Sequence, residues 1–213
     1  MNGDKVKDRV FISIIGYGDN GVFEIGTDFL SKYAENPLRV ESGKQKVSDG
    51  NGGLIEIDVQ TPIWIEPVSN GFCPMGEAFE FAKKLIVGWM YRKADCPPPV
   101  IINLSDGIPF PYGEKQKTIF VTKEIMELSC QDGFPLIFNF HIGDGMIESQ
   151  FCESESELLD EQAKFLFSIS SKIPDIYKYQ LSLFGKITGT DSRGFVSNAY
   201  DLNILCLVFH FGS

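Results

Sequence analysis

The apolar positions of this chain fall into two kinds of pattern. Short continuous apolar runs, bounded by glycine, proline or aspartate, are typical of strands buried on both faces of a parallel sheet. They occur at 10–15 (VFISII), 100–104 (VIINL) and 136–141 (LIFNFH). Residues 73–91 (CPMGEAFEFAKKLIVGWMY) instead repeat apolar side chains at helical spacing, and Pro74 suits the first helical position.

Alternation of apolar and polar residues marks a third pattern between positions 38 and 67. Ile55, Ile57 and Val59 share one face there, with Glu56 and Asp58 on the other. This predicts a hairpin or edge strands around the glycine-rich turn SDGNGG. Further helices are predicted at 27–34, 117–130, 155–171 and 175–184, and a short last strand at 194–197.

The closing stretch 198–209 fits either a helix or a strand, and a helix with Asn198 as its cap is favoured. Strands that alternate with helices predict an α/β layered domain with a mostly parallel sheet. With 213 residues, 43% of them hydrophobic, the chain can bury one sizeable core, so a single domain over 1–213 is expected.

Charge and composition narrow the class of partner and the compartment. A formal net charge of −10 argues against nucleic acid or an anionic membrane as the main partner. No apolar run approaches the roughly 18 residues that a spanning helix needs. The first ten residues lack the apolar centre of a secretory signal. Five cysteines without a CxxC pair favour reduced thiols, so a cytoplasmic protein is expected.

The stretch Gly16-Tyr17-Gly18-Asp19-Asn20-Gly21 matches the GxGxxG pattern of dinucleotide-binding proteins. That chemistry requires a helix to open inside the motif, so that backbone N–H groups meet the pyrophosphate. Asn20-Gly21 predicts a tight turn instead, followed by extended chain. Nucleotide binding is therefore disfavoured, and no cofactor is expected.

Two cysteines have spacings that suggest chemistry. Cys73, at the predicted start of a helix, could be a nucleophile with His141 as its base, which would make the protein a thiol-dependent hydrolase or redox protein. The alternative is a small buried residue near a helix start, the commoner fate of a free cysteine. Cys206 and His210 stand about one helical turn apart, but without a second pair of ligands a metal site there is disfavoured.

Asp106 directly follows the apolar run at 100–104. Ligands of open α/β sheets lie just beyond the carboxyl ends of the strands, so Asp106 is a candidate binding residue. A turn-forming acid that caps its own backbone is the competing interpretation.

The ordered blocks SNGFCPMGEAFEFAKKL and CPPPVIINLSDGIP resemble the von Willebrand factor A-like family, in its bacterial intracellular form. The similarity continues through NPLRVESGKQKVSDGNGG, PLIFNFHI and RGFVSNAYDLNILCL, and so covers nearly the whole chain from Asp8 onward. The resemblance implies a doubly wound, mostly parallel sheet with helices on both faces, and a metal-ion-dependent adhesion site at the strand ends. That site would hold Mg²⁺ on hard oxygen ligands and take a carboxylate from a partner protein.

Asp106 occupies the aspartate position of the family's metal site, and Cys73 stands where the family has a threonine. A thiol is a poor ligand for Mg²⁺. The family's D-x-S-x-S motif occurs nowhere in the sequence, because 4–18 resembles the end of the family's first helix and its second strand. The chain is thus expected to lack the first strand and to be truncated at the N-terminus relative to the family.

These departures predict a degenerate metal site at Asp106 and Cys73, with Mg²⁺ bound only if the missing motif is supplied from elsewhere. The function expected is non-enzymatic binding of another protein, and the resemblance suggests a signalling phosphatase or kinase system. A missing central strand would leave backbone groups unpaired, so an oligomer or partner that completes the sheet is a further expectation.

Overall fold

The computed structural model describes residues 8, 10–50, 52–66, 71–93, 95, 97–145, 148–199 and 208. The chain divides into two compact units. Residues 1–16 and 23–70 form the first unit, and residues 17–22 and 71–213 form the second.

Two hairpins and a short helix make up the first unit, with the turn of the first hairpin grouped in the second unit. Strands β1 (Phe11–Gly18) and β2 (Gly21–Phe29) are joined at Asp19-Asn20, and helix α1 (Leu30–Glu35) follows. Strands β3 (Arg39–Ser48) and β4 (Leu54–Ile63) pair antiparallel. The hairpin predicted between 38 and 67 is therefore confirmed.

The prediction of a buried strand at 10–15 is wrong. None of residues 10–18 is buried, and β1 pairs with β2 in a two-stranded sheet. A strand of such a sheet has a neighbouring strand on one side only, so an apolar run does not by itself ensure burial. Phe11 remains partly exposed and meets the ring of Phe29 edge to face at 5.1 Å.

The second unit contains a four-stranded sheet in the order β5-β6-β8-β7. Strands β5, β6 and β8 are parallel and β7 is antiparallel, so the prediction of an α/β protein with a mostly parallel sheet is confirmed at this level. The strands are β5 (Val100–Ser105), β6 (Leu136–His141), β7 (Ser149–Gln150) and β8 (Phe195–Ser197). The helices are α2 (Met75–Arg92), α3 (Glu114–Glu127), α4 (Glu161–Ser168) and α5 (Asp175–Leu183).

Strand β6 lies between two apolar clusters and is buried along its whole length. Its Ile137 belongs to a first cluster with residues of α2, α3 and α4, whereas Leu136, Phe138 and Phe140 belong to a second with residues of α5. Because successive side chains of a strand point to opposite faces, the two clusters lie on opposite faces of the sheet. Helices therefore cover both faces in this unit.

Helix α4 is shorter than the periodicity predicts. Residues 155–171 were expected to form one helix, but Glu155–Glu157 forms a single 3₁₀ turn and α4 begins after Asp160. Ser154 and Glu157 form a capping box around the 3₁₀ turn, and the Asp160 carboxylate accepts a hydrogen bond from Ala163 N–H. Leu159 is 95% exposed between the two elements.

The prediction for 198–209 falls mostly outside the described residues, which there comprise Asn198, Ala199 and Val208. Val208 is buried in the second cluster. Pro74 immediately precedes α2 as its N-cap, one position earlier than expected. No helix within the described ranges is long and apolar enough to cross a bilayer.

A chain of side-chain amides crosses the sheet beneath the strand ends. Asn139, fully buried on β6, accepts a hydrogen bond from the Asn103 amide at 2.8 Å. Its own amide nitrogen donates to the Leu166 carbonyl and to the Ser170 hydroxyl of the segment around α4. Both ends of the Asn139 side chain are thereby satisfied, and β5, β6 and α4 are connected.

We expect Asn139→Ala to lower the free energy of unfolding by about 2–4 kcal/mol, because it leaves buried polar groups without their hydrogen-bond partner and creates a small cavity. Gln116→Ala, at an exposed position of α3, is the matched control and is expected to change it by less than about 0.5 kcal/mol. Urea unfolding followed by circular dichroism measures both. Equal midpoints for the two variants would contradict the role given to Asn139.

Candidate functional site

The carboxyl ends of β5, β6 and β8 bring polar side chains to one edge of the sheet. The parallel register pairs Ser105 of β5 with His141 of β6, and β8 ends at Ser197. The position is the one at which open α/β sheets hold ligands.

Cys73 and Asp106, predicted to share a site, lie near each other in the second unit. The loop that follows β5 is held against the residues before α2, since Phe110 N–H donates to the Cys73 carbonyl at 2.9 Å. The carboxylate of Asp106 is close enough to raise the pKa of the Cys73 thiol. The two residues therefore lie close together.

Asp106 also performs the local role considered for it. Its Oδ1 accepts a hydrogen bond from Ile108 N–H at 3.1 Å, and the Ser105 hydroxyl accepts one from Gly107 N–H at 3.0 Å. Gly107 has φ +77°, a conformation that favours glycine. The side chain is exposed, and no ion pair joins it to a basic residue in the described part of the chain. Turn formation thus leaves the carboxylate open to solvent.

The Cys73 thiol is held in its neutral form. Burial raises its pKa from near 9 to about 11, the charge of Asp106 adds to this rise, and contact with the Ser105 hydroxyl opposes it. The start of α2 offers a dipole that favours a thiolate, whereas burial and the charge of Asp106 act in the opposite direction.

Three residues that the sequence did not single out complete this cluster. Burial raises the pKa of Tyr17 well above its usual range, and its hydroxyl donates to Asn103 Oδ1 at 2.7 Å. Ser105 faces both Tyr17 and Cys73. Glu114, buried at the start of α3, accepts a hydrogen bond from Glu77 N–H in the first turn of α2 at 3.1 Å. Its charge thereby stabilises the N-terminus of α2.

These residues do not fit a magnesium ion. The cluster offers one exposed carboxylate, one serine hydroxyl and one thiol, and Mg²⁺, which prefers hard oxygen ligands and completes its octahedral shell with water, binds thiols poorly. The carboxylate of Glu114 is committed to the backbone of α2. Among the described residues, no group of three histidine, cysteine, aspartate or glutamate side chains is placed to hold a metal.

The carboxylate close to His141 is not one of those that act on Cys73. Its Nε2 lies 4.0 Å from Asp160 Oδ1, and its buried Nδ1 has no hydrogen-bond partner among the described residues. The acids that act on Cys73 are Asp106 and Glu114. No contact between Cys73 and His141 is found in the described chain, so the structure gives no support to a thiol–imidazole pair.

An exposed aromatic pair lies on the segments that carry Cys73 and Asp106, with Phe72 next to Cys73 and Phe110 four residues after Asp106. The rings of Phe72 and Phe110 stack with centroids 4.9 Å apart, and the side chains remain 52% and 47% exposed. Asp19 accepts a hydrogen bond from Phe72 N–H. Ile108 and Tyr112, on the loop after β5, are also exposed. We call Phe72, Ile108, Phe110 and Tyr112 the aromatic surface.

The sequence contains signals for this surface that an analysis of hydrophobic periodicity does not detect. GFCP and IPFPYG place aromatic residues between prolines and glycines, in segments that had to be loops. Large apolar residues in such loops are binding candidates.

The remaining sequence motifs lie elsewhere or outside the described residues. At 16–21 the chain forms the end of β1, a two-residue turn and the start of β2, so the predicted turn is confirmed and no helix opens there. Cys206 and His210 lie outside the described residues.

The chain was compared with family models, curated proteins and solved structures. No family model, curated protein or solved structure matches the chain.

Proposed function

We propose that this chain is a non-enzymatic protein-binding module of the von Willebrand factor A type, with a doubly wound sheet that lacks its first strand and a degenerate metal site at Asp106 and Cys73. The observation that carries the proposal is the exposed, stacked pair Phe72 and Phe110 on the segments that also hold Cys73 and the unpaired carboxylate of Asp106. The partner docks on the loops at the carboxyl end of β5.

Exposed aromatic side chains in a fixed arrangement are typical anchors of protein interfaces. Phe72 and Phe110 meet that description, because their loops are tied together by the bond from Phe110 N–H to the Cys73 carbonyl. Binding would bury both rings without first ordering a mobile loop, which limits the entropy cost of association.

The carboxylate of Asp106 defines the polar part of the partner. A complete metal site would let an acidic residue of the partner bind through the cation. Without a cation, the carboxylate attracts a lysine or arginine directly. The partner of this module therefore presents an apolar side chain to the phenylalanine pair and a basic side chain to Asp106. A component of a signalling phosphatase or kinase system remains the proposed class of partner.

The alternative function, thiol-dependent catalysis by Cys73 with His141, has less support. A thiol with a pKa of about 11 carries little nucleophilic thiolate at neutral pH. The acid beside it works against activation.

Alkylation of Cys73 separates the two functions. Between a folded pKa of about 11 and an ordinary value near 9, the thiolate fraction at pH 8 differs by about 100-fold. We expect Cys73 in the native chain to react with iodoacetamide at least that much more slowly than in urea, measured by peptide mass spectrometry. Comparable rates in the two states would favour the thiol enzyme.

The same shift fixes the sign of a pH effect on stability. A thiol whose pKa is raised by folding stabilises the native state below about pH 9, and the contribution is lost as the pH rises from about 9 through 11. Cys73→Ala is expected to reduce the fall in the free energy of unfolding between about pH 9 and pH 11, measured by urea unfolding at each pH. Cys152, whose pKa burial also raises to about 11, contributes to the same fall and remains in this variant, so part of the fall is retained.

Titration with Mg²⁺ by calorimetry tests the degenerate metal site. We expect heats of dilution only, with Asp106→Ala giving the same trace as the native chain. Saturable binding at micromolar Mg²⁺ that disappears in Asp106→Ala would show that a complete coordination sphere forms.

A photo-cross-linking amino acid at Tyr112 tests the docking surface, and the same group at Tyr91, which is equally exposed near the end of α2, is the control. In an extract of the source cell we expect a discrete adduct from position 112 and none from position 91. The purified partner should then bind Phe72→Ser at least about tenfold more weakly, and bind Phe120→Ser, an exposed change on α3, unchanged. Unaltered binding to Phe72→Ser would reject the aromatic surface.

A further inference from the structure

The turn that joins β1 to β2 is grouped with the second unit, as residues 17–22. It holds most of the GxGxxG stretch, for which nucleotide binding is disfavoured. Asp19 and Asn20 form the turn itself, and Gly21 follows at φ +83°, a conformation that favours glycine. The Asn-Gly pair is explained by the turn, which leaves the side chains of Tyr17 and Asp19 to be accounted for.

Tyr17 attaches this turn to the end of β5. Its hydroxyl donates to Asn103 Oδ1 at 2.7 Å and to the Leu104 carbonyl at 3.2 Å. Both partners lie in the second half of β5, close to the point at which the Asp106 loop begins. The position of the turn is therefore fixed relative to that loop.

Asp19 holds the segment that precedes α2. Its Oδ1 accepts a hydrogen bond from Phe72 N–H. A hydrogen bond to an ionised carboxylate is stronger than one between neutral groups. Beside Phe72, the Cys73 carbonyl accepts a hydrogen bond from Phe110 N–H at 2.9 Å. The backbone of Phe72 and Cys73 is thus held by one bond to the turn and by another to the loop after β5.

The lack of a side chain at Gly71 leaves room for the Asp19 carboxylate. A Cβ at position 71 would lie 2.8 Å from each oxygen of that carboxylate, closer than side-chain atoms tolerate. The carboxylate is the far end of a flexible side chain, so it would move away and release Phe72 N–H. Glycine at position 71 is therefore needed for the bond between Asp19 and Phe72.

A purely local role in the turn is the competing interpretation of Asp19, because aspartate side chains commonly accept hydrogen bonds from their own turn. Among the described residues, no such bond of the Asp19 side chain is found. The bond that it forms reaches Phe72, which is 53 positions away in the sequence. Its contact therefore favours a role in holding a distant segment.

We propose that Asp19 is a positioning residue of the aromatic surface, because its carboxylate fixes the backbone of Phe72 and so holds that ring against Phe110 before a partner binds. Both rings remain about half exposed, so burial in a core does not fix them. Rings that are already ordered lose less freedom on association than mobile ones. The use of the stacked pair for docking rests on the proposed function, whereas the stack itself is measurable in the free chain.

Fluorine NMR of the full chain, with para-fluorophenylalanine at position 72, measures the stack, since the ring current of Phe110 shifts the fluorine resonance. Phe110→Leu supplies the resonance without the stacked ring. We expect Asp19→Ala and Gly71→Ala to move the native resonance most of the way to that reference. Asp19→Asn keeps an acceptor oxygen and should stay near the native resonance. Gly88→Ala, at a helix position with open space around it, is the matched control and should leave the resonance unchanged.

Gly71→Ala decides the matter even if Asp19→Ala does not fold, because it leaves both partners of the bond in place. A native resonance in Gly71→Ala, or a resonance of Asp19→Asn that coincides with that of Phe110→Leu, would overturn the proposal. Loss of the stack in Asp19→Ala with unchanged binding of the purified partner would support the role of Asp19 and reject the docking role of the stack. The two proposals therefore fail separately.

Discussion

The parallel pairing of β5 with β6 is the constraint on which the rest of the second unit depends. Its register sets Ser105 beside His141 and so brings two strand ends to a common edge. A buried hydrogen bond between the side-chain amides of Asn103 and Asn139 stabilises that register, and a shift of one residue would break it. The position of Asp106, one residue beyond β5, follows directly from it.

The same pairing explains why a carboxylate lies close to the Cys73 thiol. The loop after β5 must turn sharply at Gly107 and return to the residues before α2, which brings the carboxylate of Asp106 close to Cys73. Among the described residues, no basic side chain forms an ion pair with the Asp106 carboxylate. A helix N-terminus offers Cys73 a favourable dipole worth less than about 1 kcal/mol at an exposed position. Burial and a neighbouring acid oppose it with a larger effect, and the thiol stays protonated.

Strand β6 and helix α2 could be predicted from the sequence because each carries its own pattern. In β6 five apolar or amide residues precede His141, and in α2 apolar residues recur at helical spacing. Strands β1 and β5 show where such patterns fail. Their composition is that of buried strands, but burial also depends on a neighbour, and VFISII and VIINLS do not reveal whether one is present. The division of 155–171 was readable in principle, since Ser154 and Glu157 form the signature of a capping box and Asp160 is a strong N-cap. Periodicity alone overlooked it.

The candidate site divides in the same way. That Asp106 follows a strand is a sequence property, and the resemblance placed Cys73 near it. Tyr17 and Glu114 could not be foreseen, because they reach the cluster across 86 and 37 positions of sequence through Asn103 and Glu77. Tyr17 is buried and hydrogen-bonded to Asn103, and the Glu114 carboxylate accepts a hydrogen bond from the backbone of α2, so both are held by contacts beyond the Asp106 loop. The accessible groups are the Asp106 carboxylate and the two stacked phenylalanine rings, and the proposed protein-binding function rests on them.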